Sequence, residues 1–433
     1  MNKHDSERVV GMLENLGATQ VFSVEDSNVV IFMTCCVREA ADKRELGQAA
    51  SLKNIPLRRG SPLSKRILAV GGCIGQRDGD ALFEVLPHLD VVFGTNNLAS
   101  LPGLISQAID DGKHRSEILD QAKGFPTDLP THREHSWAAW LPITIGCNNF
   151  CTYCIVPYVR GREKSRPFED IVAEARSYVA SGVKEITLLG QNVNSYGRDL
   201  YGHPRFADIL EAVADTGIER LRFATSHPKD LTDEVIAKFA TLDALMPALH
   251  LPAQSGSNRI LELMNRRYTH EHYRELVCKL RDACPEIALS TDIIVGFPGE
   301  TEQDFLDTCS LVDDMVYTQV FTFIYSKRAG TPAADMYDPT SPETRQERFE
   351  RLRVIVEKNA YQANQADAGK TVPVLIEGPS KRDKTIVSGK NPKNVTVHAP
   401  LPEGVSSDDI IGKIVDVHID EAHTWYHRGT IVG

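Results

Sequence analysis

Three cysteines in the stretch GCNNFCTYC have the types and the spacing of ligands to a metal or a cluster. Cys147, Cys151 and Cys154 lie four and three residues apart, and the next cysteine along the chain is Cys278. A structural zinc site is closed by four ligands, usually in two pairs, whereas this triplet stands alone. Three thiolates can instead bind three irons of a 4Fe-4S cluster and leave the fourth iron open. The spacing therefore favours an open cluster over zinc, and it is poorly explained by packing alone.

A second group of cysteines lies near the start of the chain. Cys35 and Cys36 follow the strand candidate NVVIFMT, and Cys73 follows the strand candidate RILAVGG. Because the two loops can converge at one edge of a sheet, these residues are candidates for a second metal site. The remaining cysteines lie in helix-like stretches without metal spacing, and we expect them to be buried packing residues. They are Cys278, Cys284 and Cys309.

The sequence around the triplet predicts a parallel α/β unit that positions it. From residue 137 onward, mostly apolar runs alternate with amphipathic stretches, as expected of parallel strands covered on both faces. The strand candidates are 137–146, 184–190, 219–226, 247–254, 287–297 and 317–326. Such repeats predict an open or partial (β/α) barrel whose site lies at the C-terminal ends of the strands. Cys147 follows the first strand immediately, at that end.

Two further domains are predicted on either side of this barrel. The N-terminal region contains three strand candidates, at 28–34, 66–72 and 90–94, and a polar segment at 120–135 reads as a linker. After about residue 370 the pattern changes to short strands with turns, which predicts a small all-β barrel. The predicted fold is therefore an N-terminal α/β domain (1–112), a central partial (β/α) barrel (133–368) and a C-terminal β-barrel (370–433).

Composition sets limits on the class of protein. The 433 residues suffice for two or three domains, and 42% hydrophobic with 25% charged residues is typical of an ordered protein. A net charge of −11 argues against a global positive field for nucleic acid but allows local basic patches. The sequence has no secretory h-region and no long apolar run, so we predict a cytoplasmic protein with no membrane partner. There, the nine cysteines are not expected to form disulfides.

The C-x3-C-x2-C triplet after the first strand of such a barrel resembles the motif of the radical S-adenosylmethionine superfamily. The resemblance implies that S-adenosylmethionine chelates the open iron through its amino and carboxylate groups. An electron from the cluster then cleaves it into methionine and a 5′-deoxyadenosyl radical, while the protein positions the cofactor. Tyr153 matches the aromatic residue usual before the last cysteine, and it could equally be a packing residue of the loop.

The whole chain resembles a methylthiotransferase of this superfamily. TCCVRE (34–39) resembles the family's N-T-C-x-V-R-E, and GGCIGQR (71–77) resembles its G-C-x-A-Q-R. The C-terminal barrel resembles the TRAM domain, an RNA-binding module. QNVNSYG (191–197) is similar to the branch that acts on dimethylallyladenosine in tRNA. It differs from the branches that modify threonylcarbamoyladenosine in tRNA or an aspartate of a ribosomal protein.

The resemblance implies a two-part reaction on tRNA with two 4Fe-4S clusters. One S-adenosylmethionine yields the radical that abstracts hydrogen from carbon 2 of the isopentenylated adenosine at position 37, beside the anticodon. Sulfur arrives by way of the second cluster, and another S-adenosylmethionine supplies the methyl group. The implied partners are tRNA, a reductant for the cluster and a sulfur source. Cys35 and Cys73 match two ligands of the second cluster.

The start of the chain bears on that second cluster. In the family its first ligand lies in a G-C-Q-M-N motif, and MNKHDSERVV matches the residues just after that cysteine. We therefore expect the first strand and its cysteine to be absent, so that the chain as given binds one cluster of about four irons. Cys36 is a candidate substitute, although neighbouring residues of an extended chain point to opposite faces.

Polar residues near the predicted strand ends are candidates for holding S-adenosylmethionine, although each could equally be a structural polar group. They are Gln191, Ser226, Gln254 and Asp292. His227 and His250 have no partner at metal spacing, so they are weak ligand candidates.

Two features are candidates for RNA contact. A basic run follows the triplet, and it either binds phosphates or is simply a solvated charged segment. It consists of Arg160, Arg162, Lys164 and Arg166. Trp425 could stack on RNA, but we expect it to fill the core of the small barrel.

A non-enzymatic alternative is an RNA-binding protein whose clusters are structural or redox-sensing. The open triplet disfavours it, because a purely structural cluster gains from a fourth ligand.

Overall fold

The computed structural model describes residues 1–36, 39–121, 125 and 129–432, and for residues 39–41 it describes only the backbone. Val37 and Arg38 of the TCCVRE motif, and parts of the predicted linker, lie outside the described residues. The chain divides into two compact units. The first comprises 1–134, 145–164 and 328–331, and the second comprises 135–144, 165–327 and 332–433.

A parallel four-stranded sheet lies at the centre of the first unit. Its strands are ordered β1-β2-β3-β4, and each neighbouring pair is parallel. They are β1 (Val29–Thr34), β2 (Ile67–Gly72), β3 (Val91–Phe93) and β4 (Arg115–Glu117). The first three agree with the predicted strands. The prediction lacks β4, because Arg-Ser-Glu at a sheet edge is polar and gives no apolar run.

Apolar residues cover both faces of this sheet. Alternate residues of β2 point to opposite sides, so Leu68 and Val70 join one apolar cluster while Ile67 and Ala69 join another. The helices of the unit are α1 (Asn2–Glu14), α2 (Glu39–Ser51), α3 (Cys73–Asp78), α4 (Ala81–Val85), α5 (Leu101–Asp111) and α6 (Val156–Val159), with 3-10 turns at Leu52–Asn54 and Leu98–Ser100.

The second unit contains a partial barrel of parallel strands. Two three-stranded sheets, β5-β8-β9 and β10-β11-β12, are joined through a parallel bridge between Leu221 and Leu245. The strands are β5 (Ala138–Pro142), β8 (Glu185–Leu189), β9 (Arg220–Phe223), β10 (Ala248–His250), β11 (Ala288–Val295) and β12 (Gln319–Ile324). Each lies within one of the six predicted segments. Two short strands, β6 (Thr144–Ile145) and β7 (Lys164–Ser165), lie where the chain passes between the units.

Helices connect the strands of the barrel, and many begin at a side-chain cap. Thr232, Ser257, Thr269, Thr301 and Ser341 each accept a hydrogen bond from a backbone N–H of the first turn. The helices are α7 (Phe168–Ala180), α8 (Arg198–Tyr201), α9 (Phe206–Ala214), α10 (Asp233–Thr241), α11 (Asn258–Leu263), α12 (His270–Ala283), α13 (Glu302–Met315) and α14 (Pro342–Gln365), with 3-10 turns at Val193–Ser195, Pro228–Asp230 and Pro332–Asp335.

A closed five-stranded barrel follows α14 in the second unit, as predicted. Its strands are ordered β13-β14-β15-β17-β16. They are β13 (Thr371–Pro379), β14 (Ile386–Lys390), β15 (Thr396–Pro400), β16 (Ile414–Ala422) and β17 (Tyr426–Ile431), with the short helix α15 (Ser407–Ile410) between β15 and β16. Val374, Val397 and Val417 belong to its own apolar core. The fold class expected from the sequence is therefore confirmed.

Two expectations about individual features can be compared with this fold. Within the described residues, no helix is long and apolar enough to cross a membrane. The prediction that Cys278 is buried is wrong, because this side chain is exposed on α12. Cys284 and Cys309 are partly buried against the barrel core, as expected. Burial raises the pKa of the Cys309 thiol to about 11.

Candidate active site

The cysteine triplet lies on a tight loop that leads into α6. The backbone N–H of Cys147 donates to the carbonyl of Gly161 at 3.1 Å, and the N–H of Cys154 donates to the carbonyl of Cys151 at 2.9 Å. Gly146, just before the loop, has a φ of 77°, and a Cβ there would lie 2.2 Å from the carbonyl oxygen of Arg162. The loop path therefore requires glycine at this position.

The surroundings of the three sulfur atoms fit an iron–sulfur cluster. Cys147 and Cys151 are buried, Cys154 is half-buried, and the backbone N–H of Asn149 lies 3.5 Å from the Cys147 sulfur. Such an amide donor stabilises a thiolate and tunes a cluster. Among the described residues, no group of three or more His, Cys, Asp or Glu side chains is arranged to hold a metal ion. That result does not test a cluster, whose thiolates bind different irons.

The second group of cysteines meets at the C-terminal edge of the first unit's sheet. β1 and β2 are paired with Thr34 opposite Gly72, so Cys35 and Cys73 follow neighbouring strand ends. Thr34 joins the two ends, because its hydroxyl donates to the Gly71 carbonyl at 2.5 Å. The parallel register therefore brings together residues that lie far apart in sequence.

Cys36 packs against Cys73 in the same apolar cluster. The expectation that Cys36 points away from the neighbouring cysteine assumed an extended chain, but β1 ends at Thr34 and the alternation of the strand does not continue. A hydrogen bond from the Cys36 thiol is the largest cause that lowers the pKa of Cys73, and the Arg160 guanidinium acts in the same direction. The same hydrogen bond raises the pKa of Cys36.

Arg160 belongs to this cysteine group rather than to a phosphate-binding run. It is buried, and its guanidinium lies 2.9 Å from a carboxylate oxygen of Asp5 and 2.7 Å from the amide oxygen of Asn2. The sequence offered no sign of this role, because Asp5 is 155 residues away.

The other three cations of the predicted basic run differ from one another in burial. Arg166 is buried and pairs with Glu174. Arg162 is exposed, and its guanidinium carbon lies 4.3 Å from the centroid of the Phe150 ring. Lys164 is half-buried. The prediction of four solvent-facing cations is therefore wrong for Arg160 and Arg166, because their charges are balanced inside the protein.

Among the predicted cofactor-binding residues of the barrel, Gln191, Ser226 and Gln254 lie beyond strand ends, whereas Asp292 lies within β11. All four belong to the second unit. Gln254 is buried with a φ of 67°, and its N–H donates to the carbonyl of Asp292 at 2.8 Å. A carboxylate oxygen of Asp292 lies 3.4 Å from Nε2 of His250, whose Nδ1 lies 3.0 Å from the Ser290 hydroxyl. Gln191 follows β8 and is half-buried. The structure thus brings the side chains of Asp292 and His250 together, whereas Gln254 meets Asp292 through main-chain atoms.

Several buried polar atoms just beyond β5, β8 and β9 have no hydrogen-bond partner among the described residues. They are Thr144 Oγ1, Asn192 Oδ1, Asn194 Nδ2, Ser226 Oγ and His227 Nε2. Burial, the largest cause, lowers the pKa of His227 and keeps its ring neutral. A buried polar atom without a partner is costly, so a polar ligand or water is expected here. Sequence reasoning missed Asn192 and Asn194, although both lie in the QNVNSYG stretch.

A cavity of about 530 Å³ lies between the inner side of the parallel strands and the small barrel. Arg222 and His250 line it from the strands, and Lys390 and Trp425 line it from the small barrel. Trp425 is 47% exposed, so the expectation that it fills the core of the small barrel is wrong. It lies on the connection between β16 and β17, where the barrel interior is already filled by smaller side chains.

Comparisons with known proteins agree with this geometry. The sequence profile of the Radical SAM superfamily matches residues 141–312, that of Uncharacterized protein family UPF0004 matches 1–94, and that of the TRAM domain matches 365–432. A solved radical S-adenosylmethionine methyltransferase from Kitasatospora setae, with cobalamin and a 4Fe-4S cluster bound, superposes with a TM-score of 0.53 at 14% identity. The match covers 71% of this chain and 65% of the solved one, slightly less than two thirds of its length.

These matches, with the parallel partial barrel and the three-cysteine loop, define a radical S-adenosylmethionine protein. Proteins of this class bind an iron–sulfur cluster and S-adenosylmethionine. Relatives narrow this class. The tRNA-2-methylthio-N(6)-dimethylallyladenosine synthase of Thermoanaerobacter sp. (strain X514) is 46% identical over 435 residues, covering 100% of this chain and 90% of the relative. The synthase of the same name from Clostridium tetani is 45% identical, covering 99% and 93%. The chain belongs to the family of tRNA-2-methylthio-N(6)-dimethylallyladenosine synthases.

Proposed function

We propose that this chain methylthiolates carbon 2 of N(6)-dimethylallyladenosine at position 37 of tRNA. One observation carries the proposal: the identity to synthases of that name extends over the whole chain and includes all three profile matches. The relatives reported above bear this name, so the threonylcarbamoyladenosine and ribosomal-protein alternatives receive no support. A tRNA substrate would also place the enzyme in the cytoplasm.

Cys147, Cys151 and Cys154 are proposed to hold the cluster that binds S-adenosylmethionine. When bound, this cluster supplies the electron that cleaves S-adenosylmethionine to methionine and a 5′-deoxyadenosyl radical. The protein would contribute three thiolates and a backbone N–H directed at the Cys147 sulfur. The burial of Cys147 and Cys151 would limit the access of water to the cluster.

Tyr153, Gln191, Gln254 and Asp292 are proposed to contact S-adenosylmethionine. Ser226 joins this set, because its buried hydroxyl has no partner among the described residues and can bind the polar groups of the cofactor. Gln254 supports the assignment through its positive φ, since a non-glycine residue in this strained conformation is often held there for function.

Cys35 and Cys73 are proposed as ligands of a second 4Fe-4S cluster that receives sulfur from a separate source. Cys36 is proposed to serve as the third ligand in place of the cysteine expected to be absent, because it contacts Cys73. The proposal is therefore that the chain binds two clusters rather than the single cluster expected from the sequence. Arg160 would offset the negative charge of thiolates at this position. A reductant would supply the electrons. The boundaries 1–112, 133–368 and 370–433 are proposed for the corresponding domains.

The experiment combines anaerobically reconstituted protein, dithionite, S-adenosylmethionine and tRNA carrying dimethylallyladenosine. We expect 5′-deoxyadenosine and the 2-methylthio nucleoside, both quantified by mass spectrometry of the digested reaction. Cys151→Ala should abolish both, because two thiolates cannot hold the cluster with one iron free. Cys278→Ala is the matched control and should retain both products, since that thiol is exposed and distant in sequence from the triplet.

Two outcomes would contradict the proposal. Release of 5′-deoxyadenosine by Cys151→Ala would remove the triplet from the cluster site. Methylthiolation of tRNA that carries threonylcarbamoyladenosine, with none on dimethylallyladenosine, would assign the chain to the other branch.

A further inference from the structure

Two arginines of the parallel sheet bind the main chain of the small barrel. Arg220 donates to the carbonyl oxygens of Lys390 and Asn391 at 3.0 and 2.8 Å. Arg222 donates to those of Pro392 and Asn391 at 3.0 and 2.9 Å. The three accepting residues lie at the end of β14 and in the turn that leads to β15, here called the 391–395 turn. Three of these four hydrogen bonds therefore fix this turn to β9, and the fourth fixes the end of β14.

The arginines share a single carboxylate. Glu185 of β8 lies 2.8 Å from Nε of Arg222 and 3.2 Å from Nε of Arg220. Both arginines are buried, and burial is the largest cause that lowers the pKa of Arg220 to about 10, which leaves it protonated at neutral pH. Buried charged groups rarely stabilise a fold better than apolar residues of similar size. Their value here is directional, because a guanidinium fork fixes the angle and the position of the carbonyls it binds.

The turn is also held by a hydrogen bond within itself and by an ion pair to the connection between α14 and β13. The amide oxygen of Asn391 accepts from the N–H of Val395 at 2.9 Å, and the ammonium group of Lys393 lies 2.6 Å from a carboxylate oxygen of Asp367. The turn is thus a stiff element, and a displacement of the arginines would move it as one piece.

This turn forms one wall of the 530 Å³ cavity. Lys393, Asn394 and Val395 line the cavity beside Trp425, and the strands line the opposite side. A volume of this size is in the range of ligand pockets. A half-exposed indole at a cavity wall offers a stacking face for a nucleic-acid base. Lys390 adds a cation, since its side chain also lines the cavity.

We infer that Arg220 and Arg222 are positioning residues that hold the 391–395 turn so that RNA bound to the small barrel presents a base to this cavity. The inference rests on the proposed function. In this inference the two arginines link RNA binding to the use of the radical formed by cofactor cleavage. They do not contact the cofactor themselves.

The test compares Arg220→Met, Arg222→Met and Arg222→Lys in the full-length reconstituted protein. The lysine variant keeps a charge beside Glu185 but loses the fork that binds two carbonyls. We expect iron content and 5′-deoxyadenosine formation without RNA to stay within about twofold of the unchanged chain. The yield of 2-methylthio nucleoside per 5′-deoxyadenosine should fall by about tenfold or more in all three, since displacement of a reacting group by about 1 Å costs up to about a hundredfold.

Arg281→Met is the matched control, because Arg281 also donates to a main-chain carbonyl, that of Met315, but does not line the cavity. It should keep the product ratio. An unchanged ratio in the Arg220 and Arg222 variants would overturn the inference. Equal losses of RNA-independent cleavage and of product would also overturn it, because the arginines would then serve only the fold. Failure of the proposed function differs from both, since the unchanged chain would then form no methylthiolated nucleoside.

Discussion

Sulfur atoms in this chain lie in two electrostatic environments. The Cys147 sulfur faces a backbone N–H, whereas Cys73 lies against the Cys36 thiol and the Arg160 guanidinium. The arrangement at Cys73 lowers the pKa of its thiol, because it places a donor and a positive charge near the sulfur. Cysteines that look equivalent in the sequence therefore have different neighbours in the fold.

At the same scale, a substitution of Ser226, which we propose to contact the cofactor, should change cofactor binding without lowering stability. Its buried hydroxyl has no partner among the described residues, so Ser226→Ala removes an unsatisfied group and should leave the melting temperature of the protein unchanged or slightly higher. The dissociation constant for S-adenosylmethionine should rise by about tenfold, the loss expected for one hydrogen bond. Equilibrium dialysis with labelled cofactor and calorimetric melting measure the two effects.

Ser341→Ala is the control with the opposite signature. Ser341 caps α14 and accepts from the N–H of Thr344, so its loss should lower stability by about 1 kcal/mol and leave cofactor affinity unchanged. Equal affinity for the cofactor in Ser226→Ala and in the unchanged chain would remove Ser226 from the site.

At the scale of elements, loops after parallel strands carry most of the proposed site residues. The register of β1 with β2 places Cys35 beside Cys73, and residues just beyond β8 and β9 supply the unsatisfied polar atoms. This follows from parallel pairing, since the C-terminal ends of such strands meet at one edge. These short loops can hold their side chains in one position only if their backbone conformation is fixed.

Gly146 tests this requirement. Gly146→Ala places a Cβ 2.2 Å from the Arg162 carbonyl oxygen at a positive φ, so the loop must move. We expect fewer irons per chain after reconstitution and a matching loss of 5′-deoxyadenosine formation. Colorimetric iron analysis and the visible absorption of the cluster measure the change.

Gly182→Ala is the matched control for backbone strain. Gly182 also has a positive φ, 88°, but nothing lies within 4 Å of a Cβ there. It should cost about 1 kcal/mol of stability without changing the iron content. A normal iron content in Gly146→Ala would show that the loop tolerates the displacement.

At the scale of the whole molecule, the small barrel is an element with its own strand pairing and its own core. Its five strands pair only with one another among the described residues, and it has its own apolar core. Because the net charge of the chain is −11, RNA must be held by local surfaces rather than by a general field.

Deletion of residues 371–433 should therefore weaken tRNA binding while sparing cofactor cleavage in the absence of RNA. The deletion removes Lys390 and Trp425 from the cavity and leaves the strands of the larger barrel in place. We expect about tenfold or more loss of affinity and a smaller dependence of affinity on salt, because phosphate contacts are lost. Filter binding at two salt concentrations measures both. Unchanged affinity would assign RNA binding to surfaces outside the small barrel.

Much of the fold follows from the sequence because its strands are buried and parallel. Such strands are continuous apolar runs, so the six strands of the larger barrel fall within the predicted segments. The cysteine triplet could also be recognised from the sequence, since Cys147, Cys151 and Cys154 lie within eight residues. Sequence spacing was sufficient to predict a site wherever all its residues lie in one short stretch.

Contacts between residues far apart in the sequence could not be predicted from spacing. Arg160 was expected to face either phosphates or solvent, but Asp5 and Cys73 enclose it. Trp425 was expected in a core that smaller residues fill. Which charge balances a cation, and which side chain fills a core, depend on residues that only folding brings together. The sequence determined the cysteine spacing, the strands and the family, whereas the tertiary structure decided the partners, because burial and ion pairing are set by neighbours distant along the chain.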